Sequence, residues 1–258
     1  MQDLNIALVQ CSLEWEDSEG NIRQFERRLN DVPSETDLVV LPEMFTTGFT
    51  MSPETVAEPV NGPGLQWMQQ WSEKSNTAIT GSIVVQDNGH YYNRMYFVHA
   101  GETHYYNKRH LFRMAGEHEH YSPGTERVIV SLNGWSILLQ VCYDLRFPVW
   151  SRNRNDYDLA LYVANWPAAR SSAWTALLRA RAIENYGYTA GVNRVGTDGK
   201  GIDYNGSSAV FDPKGECLGN LNDNEEGIIY TKLSGDELLR YREKFPVHLD
   251  ADNFTIDL

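Results

Sequence analysis

Residues 138–152 read LLQVCYDLRFPVWSR. An apolar run climbs to Cys142, and the chain then turns abruptly to Asp and Arg. A core cysteine needs no such boundary. A reactive one does, because it must be held rigidly and still meet a substrate. The run is therefore read as a buried strand whose end presents a thiol.

Working outward, WSILLQVCYD and the preceding RVIVSL flank Asn133-Gly134, a two-residue hairpin signal. TAITGSIVV and YYNRMYFVHA flank Asn88-Gly89 in the same way. LNIALV (4–9), TDLVVLPE, DLALYVANW, YTAGVNRV, SSAVFD, GECLGNL and EGIIYTKL read as further strands. Ile22, Phe25, Leu29 and Val32 recur at helical spacing over 18–32, and Leu65, Met68 and Trp71 do so over 64–74. A third helix is predicted from Ser171 to about Tyr186, with Ser171 or Ser172 as N-cap. Periodicity thus gives an α/β chain rich in hairpins. With 258 residues, no repeat and no Pro/Ser linker, 1–258 is read as a single domain.

Composition is that of an ordinary globular chain, 41% hydrophobic and 22% charged. The 22 basic residues face 35 acidic ones, giving a net charge of −13 and no Lys/Arg run, so nucleic acid is not expected as a partner. No apolar segment approaches a membrane span, and the N-terminus has no secretory pattern. Three cysteines, Cys11, Cys142 and Cys217, with no CxxC fit reduced thiols in a cytoplasm.

Two further strand ends carry chemistry. Glu43 follows LVVLP and Lys108 follows THYYN; they lie 65 residues apart, and Cys142 follows 34 residues later. A sheet with those three strand ends adjacent would bring them together. A carboxylate can take the proton of a thiol, and an ammonium can stabilise the oxyanion formed when sulfur attacks a carbonyl. The backbone N–H of Tyr143 is a candidate second oxyanion donor. Taken singly, each residue has a plainer reading: a core thiol, a capping Glu, a solvated Lys. His118 and His120, at i and i+2, make a poor metal site, and no metal is expected. Cys11 and Cys217, the latter placed at a hairpin turn, are read as passive. GVNRVGTDGKG lacks the order of a phosphate loop and is read as a loop near the site mouth.

LVVLPEMFTTGF, YNKRHLF and VCYDLRFPVWSR together resemble the three signature segments of the nitrilase superfamily of carbon–nitrogen hydrolases; ANWPAAR and LLRARAIENYGY resemble its next two. The resemblance runs from about residue 4 to 235 and implies a four-layer α-β-β-α sandwich of two mixed sheets. It assigns Glu43 as base, Lys108 as oxyanion cation and Cys142 as nucleophile. It also implies a second active-site glutamate, Glu117 or its rival Glu119, that holds Lys108 and helps to position the amide and the hydrolytic water. CYDLRFP with ANWP resembles the omega-amidase branch, which acts on 2-oxo acid amides such as 2-oxoglutaramate and 2-oxosuccinamate without a cofactor. Deaminated glutathione amidase, N-carbamoyl hydrolase and nitrilase activities are the alternatives, and a non-catalytic binding member is a third. Trp166 is expected as a pocket wall. Arg170 is the first candidate for the substrate carboxylate and Arg146 the second, unless Arg146 pairs with Asp144. A homodimer is expected, with the helix of LLRARAIENYGY near the contact.

Overall fold

The structure, a computed structural model, describes residues 1–256. In chain order the strands are β1 (Leu4–Gln10), β2 (Leu38–Val40), β3 (Glu58–Pro59), β4 (Ala78–Asp87), β5 (His90–His99), β6 (Glu102–Asn107), β7 (Ile129–Leu132), β8 (Trp135–Val141), β9 (Leu159–Ala164) and β10 (Tyr188–Asn193). They continue with β11 (Val195–Thr197), β12 (Asp203–Asn205), β13 (Ala209–Phe211), β14 (Cys217–Asn220) and β15 (Gly227–Leu233). One sheet has the order β15-β1-β2-β4-β5-β6, with β3 on β4; the other runs β14-β13-β10-β9-β8-β7. Each is mixed: β1, β2 and β4 run parallel, as do β8, β9 and β10, and antiparallel strands flank them.

Alternation along β1 decides the layering. Leu4, Ile6 and Leu8 point to the second sheet, packing with residues such as Ile137, Leu139 and Leu161. Ala7 and Val9 point outward, under Phe25 and Leu29 of α1 (Ser18–Leu29) and Leu65 and Met68 of α2 (Pro63–Ser75). On the far side α3 (Ser171–Glu184) lays Trp174 and Leu178 on β10. The result is helix, sheet, sheet, helix. The central parallel strands are buried on both faces, as β9 shows along all of Leu159–Ala164, and so their sequences are continuously apolar.

Both Asn-Gly pairs form the expected hairpin turns, with φ of +49° and +79° at Asn88 and Gly89 and +51° and +81° at Asn133 and Gly134. Two expectations need correction. Ser171 and Ser172 are the first residues of α3, not its cap; Arg170 holds that position and no side chain caps the helix. α1 ends at Leu29, so Val32 lies beyond it, although it still packs under the sheet.

α3 approaches β10 at Gly191, where a Cβ would lie 2.5 Å from Leu178 Cδ1 and 2.7 Å from Trp174 Cζ2. Gly191→Ala is therefore expected to destabilise by about 1–3 kcal/mol through overpacking and to lower Tm by about 2–10 °C, read by differential scanning calorimetry. An unchanged Tm would show that α3 can move aside.

Candidate active site

Glu43 stands in a loop stitched to the neighbouring strand rather than to its own. Leu41 N donates to Thr80 O (2.8 Å), Met44 N to Ser82 Oγ (2.8 Å) and Phe45 N to Ser82 O (3.0 Å). The approach is possible because β4 has Gly81 there; a Cβ would sit 2.8 Å from Leu41 Cβ. Glu43 is fully buried. Its Oε1 accepts from Asn93 Nδ2 (2.8 Å) and Lys108 Nζ (3.0 Å), and its Oε2 from Asn165 N (2.7 Å). Asn165 Nδ2 also donates to Glu43 O (2.6 Å), so both the carboxylate and its backbone are fixed.

Lys108 follows β6, and its N–H donates to Asn93 O (2.9 Å). Nζ lies 2.9 Å from each oxygen of Glu117, which starts a short helix, Glu117–His120, after Gly116. Glu117 Oε2 also accepts from Phe112 N at 2.5 Å. Of the two glutamates, Glu117 is the one placed against Lys108; Glu119 is exposed, 3.9 Å from His118. Burial alone would favour neutral Lys108, but the charges of Glu117 and then Glu43 outweigh it and hold the ammonium above its ordinary pKa. Burial pushes the Glu117 carboxyl up, against the attraction of Lys108.

Cys142 caps β8 with φ +47°, in the left-handed region, and opens a 3₁₀ turn, Cys142–Arg146. Such a backbone costs roughly 1–3 kcal/mol and persists only where the surroundings over-determine it. Sγ lies 3.9 Å from Asn165 O. Burial, then the negative charge of Glu43, raises the thiol well above its ordinary pKa, with Lys108 opposing in part. These causes favour the neutral thiol over the thiolate. The three strand ends meet as expected, but not along one sheet: β2 and β6 belong to the first sheet, with β4 and β5 between them, and β8 to the second. The residues converge across the interface of the sandwich.

Cys142 and Asn165 border a cavity of about 300 Å³ walled by Phe49, Met51, Phe112, Tyr143, Trp166 and Tyr204. Tyr143 is half-buried, its ring edge-on to those of Phe112 and Phe147. Trp166 is both wall and core: it packs on Trp174 and its Nε1 donates to Arg170 O (2.9 Å). Arg170, Arg146 and Lys200 also line the cavity, and none of them is in an ion pair among the described residues. The Arg170 guanidinium lies 5.2 Å over Phe112 and that of Arg146 4.9 Å over Trp166. Arg146 does not pair with Asp144, which is buried and occupied by Tyr106, His110 and Val141. The glycine-rich segment folds as the β11–β12 hairpin and brings Asp198, Lys200, Ile202 and Tyr204 to the cavity.

Sequence reasoning missed Asn93, Asn165 and Asp144. A lone Asn amid the apolar residues of β5 and the Asn beside Trp166 in ANWP were the available signals. Cys11 is buried at the end of β1, its thiol pushed up to about 12 by burial. Cys217 is exposed and opens β14 just after the turn. No group of three His, Cys, Asp or Glu side chains with metal-holding geometry occurs among the described residues, and no helix there is long and apolar enough to cross a membrane.

A carbon–nitrogen hydrolase family model matches residues 5–243. The chain is 50% identical over 257 residues to the omega-amidase YafV of Escherichia coli (strain K12), covering 99% of this chain and 100% of that protein. It is 31% identical over 251 residues to the 2-oxoglutaramate amidase of Bacillus subtilis (strain 168), covering 95% and 96%. Among solved structures, XC1258 from Xanthomonas campestris, a CN-hydrolase superfamily protein with an arsenic adduct in its active site, superposes with a TM-score of 0.97 at 43% identity over 100% of both chains. Nit3 of Saccharomyces cerevisiae, at 24% identity over 95% of each chain and TM-score 0.85, shares the fold.

The raised Cys142 pKa has a spectroscopic consequence. A free thiol ionises near pH 8.5. Thiolate absorbance at 240 nm, taken as the difference between the protein and its Cys142→Ser variant, is expected to stay flat through about pH 9. A step at or below about pH 8.5 would mean that the thiol is not held above its ordinary pKa.

Proposed function

Because the chain belongs to the carbon–nitrogen hydrolase family, and is an amidase within it, we propose that it is a cysteine-dependent omega-amidase of small 2-oxo dicarboxylate monoamides, 2-oxoglutaramate and 2-oxosuccinamate. The observation that carries this reading is the buried Glu43–Lys108–Glu117 cluster beside the Cys142 thiol, at a cavity whose cations have no acidic partner among the described residues. The names of the relatives from E. coli and B. subtilis support the substrate class.

In the proposed mechanism the thiol is deprotonated as it reacts. Glu43 takes the proton while Sγ attacks the amide carbon. Lys108 and the Tyr143 N–H hold the oxyanion, Lys108 staying an ammonium because Glu117 and Glu43 flank it. Glu43 returns the proton to nitrogen, ammonia leaves and a thioester remains. Glu43 then takes a proton from water as water attacks the thioester, and Sγ leaves with that proton. Glu117 holds Lys108 and, through it, the amide and the water. No cofactor takes part. Trp166 shapes the wall, and Arg170, with Arg146 behind it, receives the distal carboxylate. We place the enzyme in the cytoplasm and as a homodimer through α3, where the exposed Ile183 supports an apolar contact.

Cys142→Ala is expected to abolish ammonia release from 2-oxoglutaramate with little change in Tm. Activity within tenfold of the parent would remove Cys142 from the mechanism. Parallel ammonia assays with deaminated glutathione, an N-carbamoyl compound and a nitrile test the neighbouring activities; faster turnover of any of these would displace the omega-amide reading.

The carboxylate reading is tested at Arg170. A hydrogen bond to a charged group contributes about 1.5–3 kcal/mol, so Arg170→Ala should lower kcat/KM for 2-oxoglutaramate roughly 10- to 150-fold. Hydrolysis of a neutral amide such as hexanamide should barely change. Equal loss on both substrates would mark Arg170 as structural, and no loss on either would move the carboxylate to Arg146.

A further inference from the structure

Asp144 is fully buried two residues past Cys142 and accepts four hydrogen bonds. Oδ2 takes Val141 N (3.0 Å), from the residue just before the thiol, and Tyr106 Oη (2.8 Å). Oδ1 takes His110 N (3.0 Å) and lies 2.7 Å from His110 Nδ1. Tyr106 Oη accepts in turn from Arg109 N (3.1 Å) and Trp150 Nε1 (3.0 Å). The residues on both sides of Lys108, at 106, 109 and 110, therefore all end on one carboxylate, and that carboxylate also closes the turn that holds Cys142 at φ +47°.

This is a different linkage from the one that sets Lys108 against Glu43. That one runs through Asn93, whose carbonyl takes Lys108 N and whose amide donates to Glu43. Among the described residues no hydrogen bond joins the Glu43–Lys108–Glu117 cluster to the backbone of the Cys142 turn; the cluster meets the turn at the thiol itself. The sheet interface alone leaves side-chain packing, which has no directional preference, to fix Cys142 relative to Lys108. Charge-assisted hydrogen bonds supply direction. His110 is well placed for this: its ring is stacked 3.7 Å from that of Phe147, nearly parallel at 4°, so the imidazole is held edge-on to Asp144.

We propose that Asp144 and His110 are positioning residues, a carboxylate–imidazole clasp that fixes the Cys142 thiol against the Lys108 ammonium across the two sheets. The proposal rests on the roles given above to Cys142 and Lys108. Neither clasp residue lines the cavity, so the clasp acts on turnover and not on substrate affinity. A displacement of about 1 Å at reacting groups can cost on the order of 10²-fold in rate.

The test uses the side-chain amide of Asn, which can donate from about the place of the imidazole Nδ1, and the ring of Phe, which can stack on Phe147 but cannot donate. His110→Phe is expected to lower kcat roughly 10- to 100-fold with KM within about threefold of the parent and Tm little changed. His110→Asn, which lacks the stack, is expected to recover kcat to within about threefold of the parent. Asp144→Asn, if it folds, should lower kcat at least as far as His110→Phe and slow alkylation of Cys142 by iodoacetamide. The clasp is overturned if His110→Phe keeps kcat within twofold, if His110→Asn is as impaired as His110→Phe, or if the loss falls in KM. An active Cys142→Ala would instead remove the mechanism on which the clasp rests, so the two failures are told apart.

Discussion

The molecule is organised around one buried ammonium. Lys108 Nζ has no access to water and sits among three carboxylate oxygens, two from Glu117 and one from Glu43. Removing one such charge from water costs several kcal/mol even after relaxation, and the cost is offset only where geometry is good and the remaining lone pairs are satisfied. Here they are satisfied in detail: Asn93 and the Asn165 N–H complete Glu43, and the Phe112 N–H completes Glu117. These partners come from the β2 and β9 strand ends, from β5 and from the Phe112 loop. The cluster can exist only if the two sheets are packed in one register. The fold fixes the charges, and the charges penalise any other packing, since a single displaced partner would leave a buried charge uncompensated.

That arrangement explains how the thiol can stay neutral and still be useful. Burial makes this a poor place for a thiolate, and two carboxylates against one ammonium add to the cost. A site of this kind stores no reactive anion. It holds a proton acceptor, Glu43, whose oxygens already carry fixed donors, so little reorganisation accompanies a proton transfer. In the proposed mechanism the nucleophile is created only when an electrophilic carbon is present to receive it.

What was legible in the sequence follows from the range of each interaction. Hairpin turns are local: Asn88-Gly89 and Asn133-Gly134 announce themselves because only a few residue types accept two successive positive φ values. Strand faces are legible because alternation is local too. The thiol, the ammonium and the Glu43 carboxylate were legible as residue types at strand ends, with the resemblance supplying their grouping and the second glutamate. Their supports were not. Glu43 is held by Asn165, 122 residues away, and Asp144 receives His110 from 34 residues away. No periodicity links such positions. Asp144 was read as a possible partner for Arg146 because it is a nearby acid of opposite charge, two residues away. The structure gives Asp144 to backbone and side-chain donors inside the sandwich and leaves Arg146 on an aromatic face outside it.

The same contrast between near and far governs how an acidic protein meets an acidic substrate. A net charge of −13 repels an anion at a distance, but salt screens that repulsion beyond about 8–10 Å. What matters at the cavity is the charge left unspent there. Asp198, the acidic residue that lines it, is occupied by Tyr204 Oη, Lys200 N and Ile202 N. The Arg170 and Arg146 guanidinium groups lie over rings, an arrangement that engages their faces and leaves their N–H edges for an acceptor. The surface can therefore be strongly acidic for solubility while the few ångströms around the cavity are cationic. The two properties do not compete, because screening separates them and because Asp198, the acid that lines the cavity, has already been given its donors.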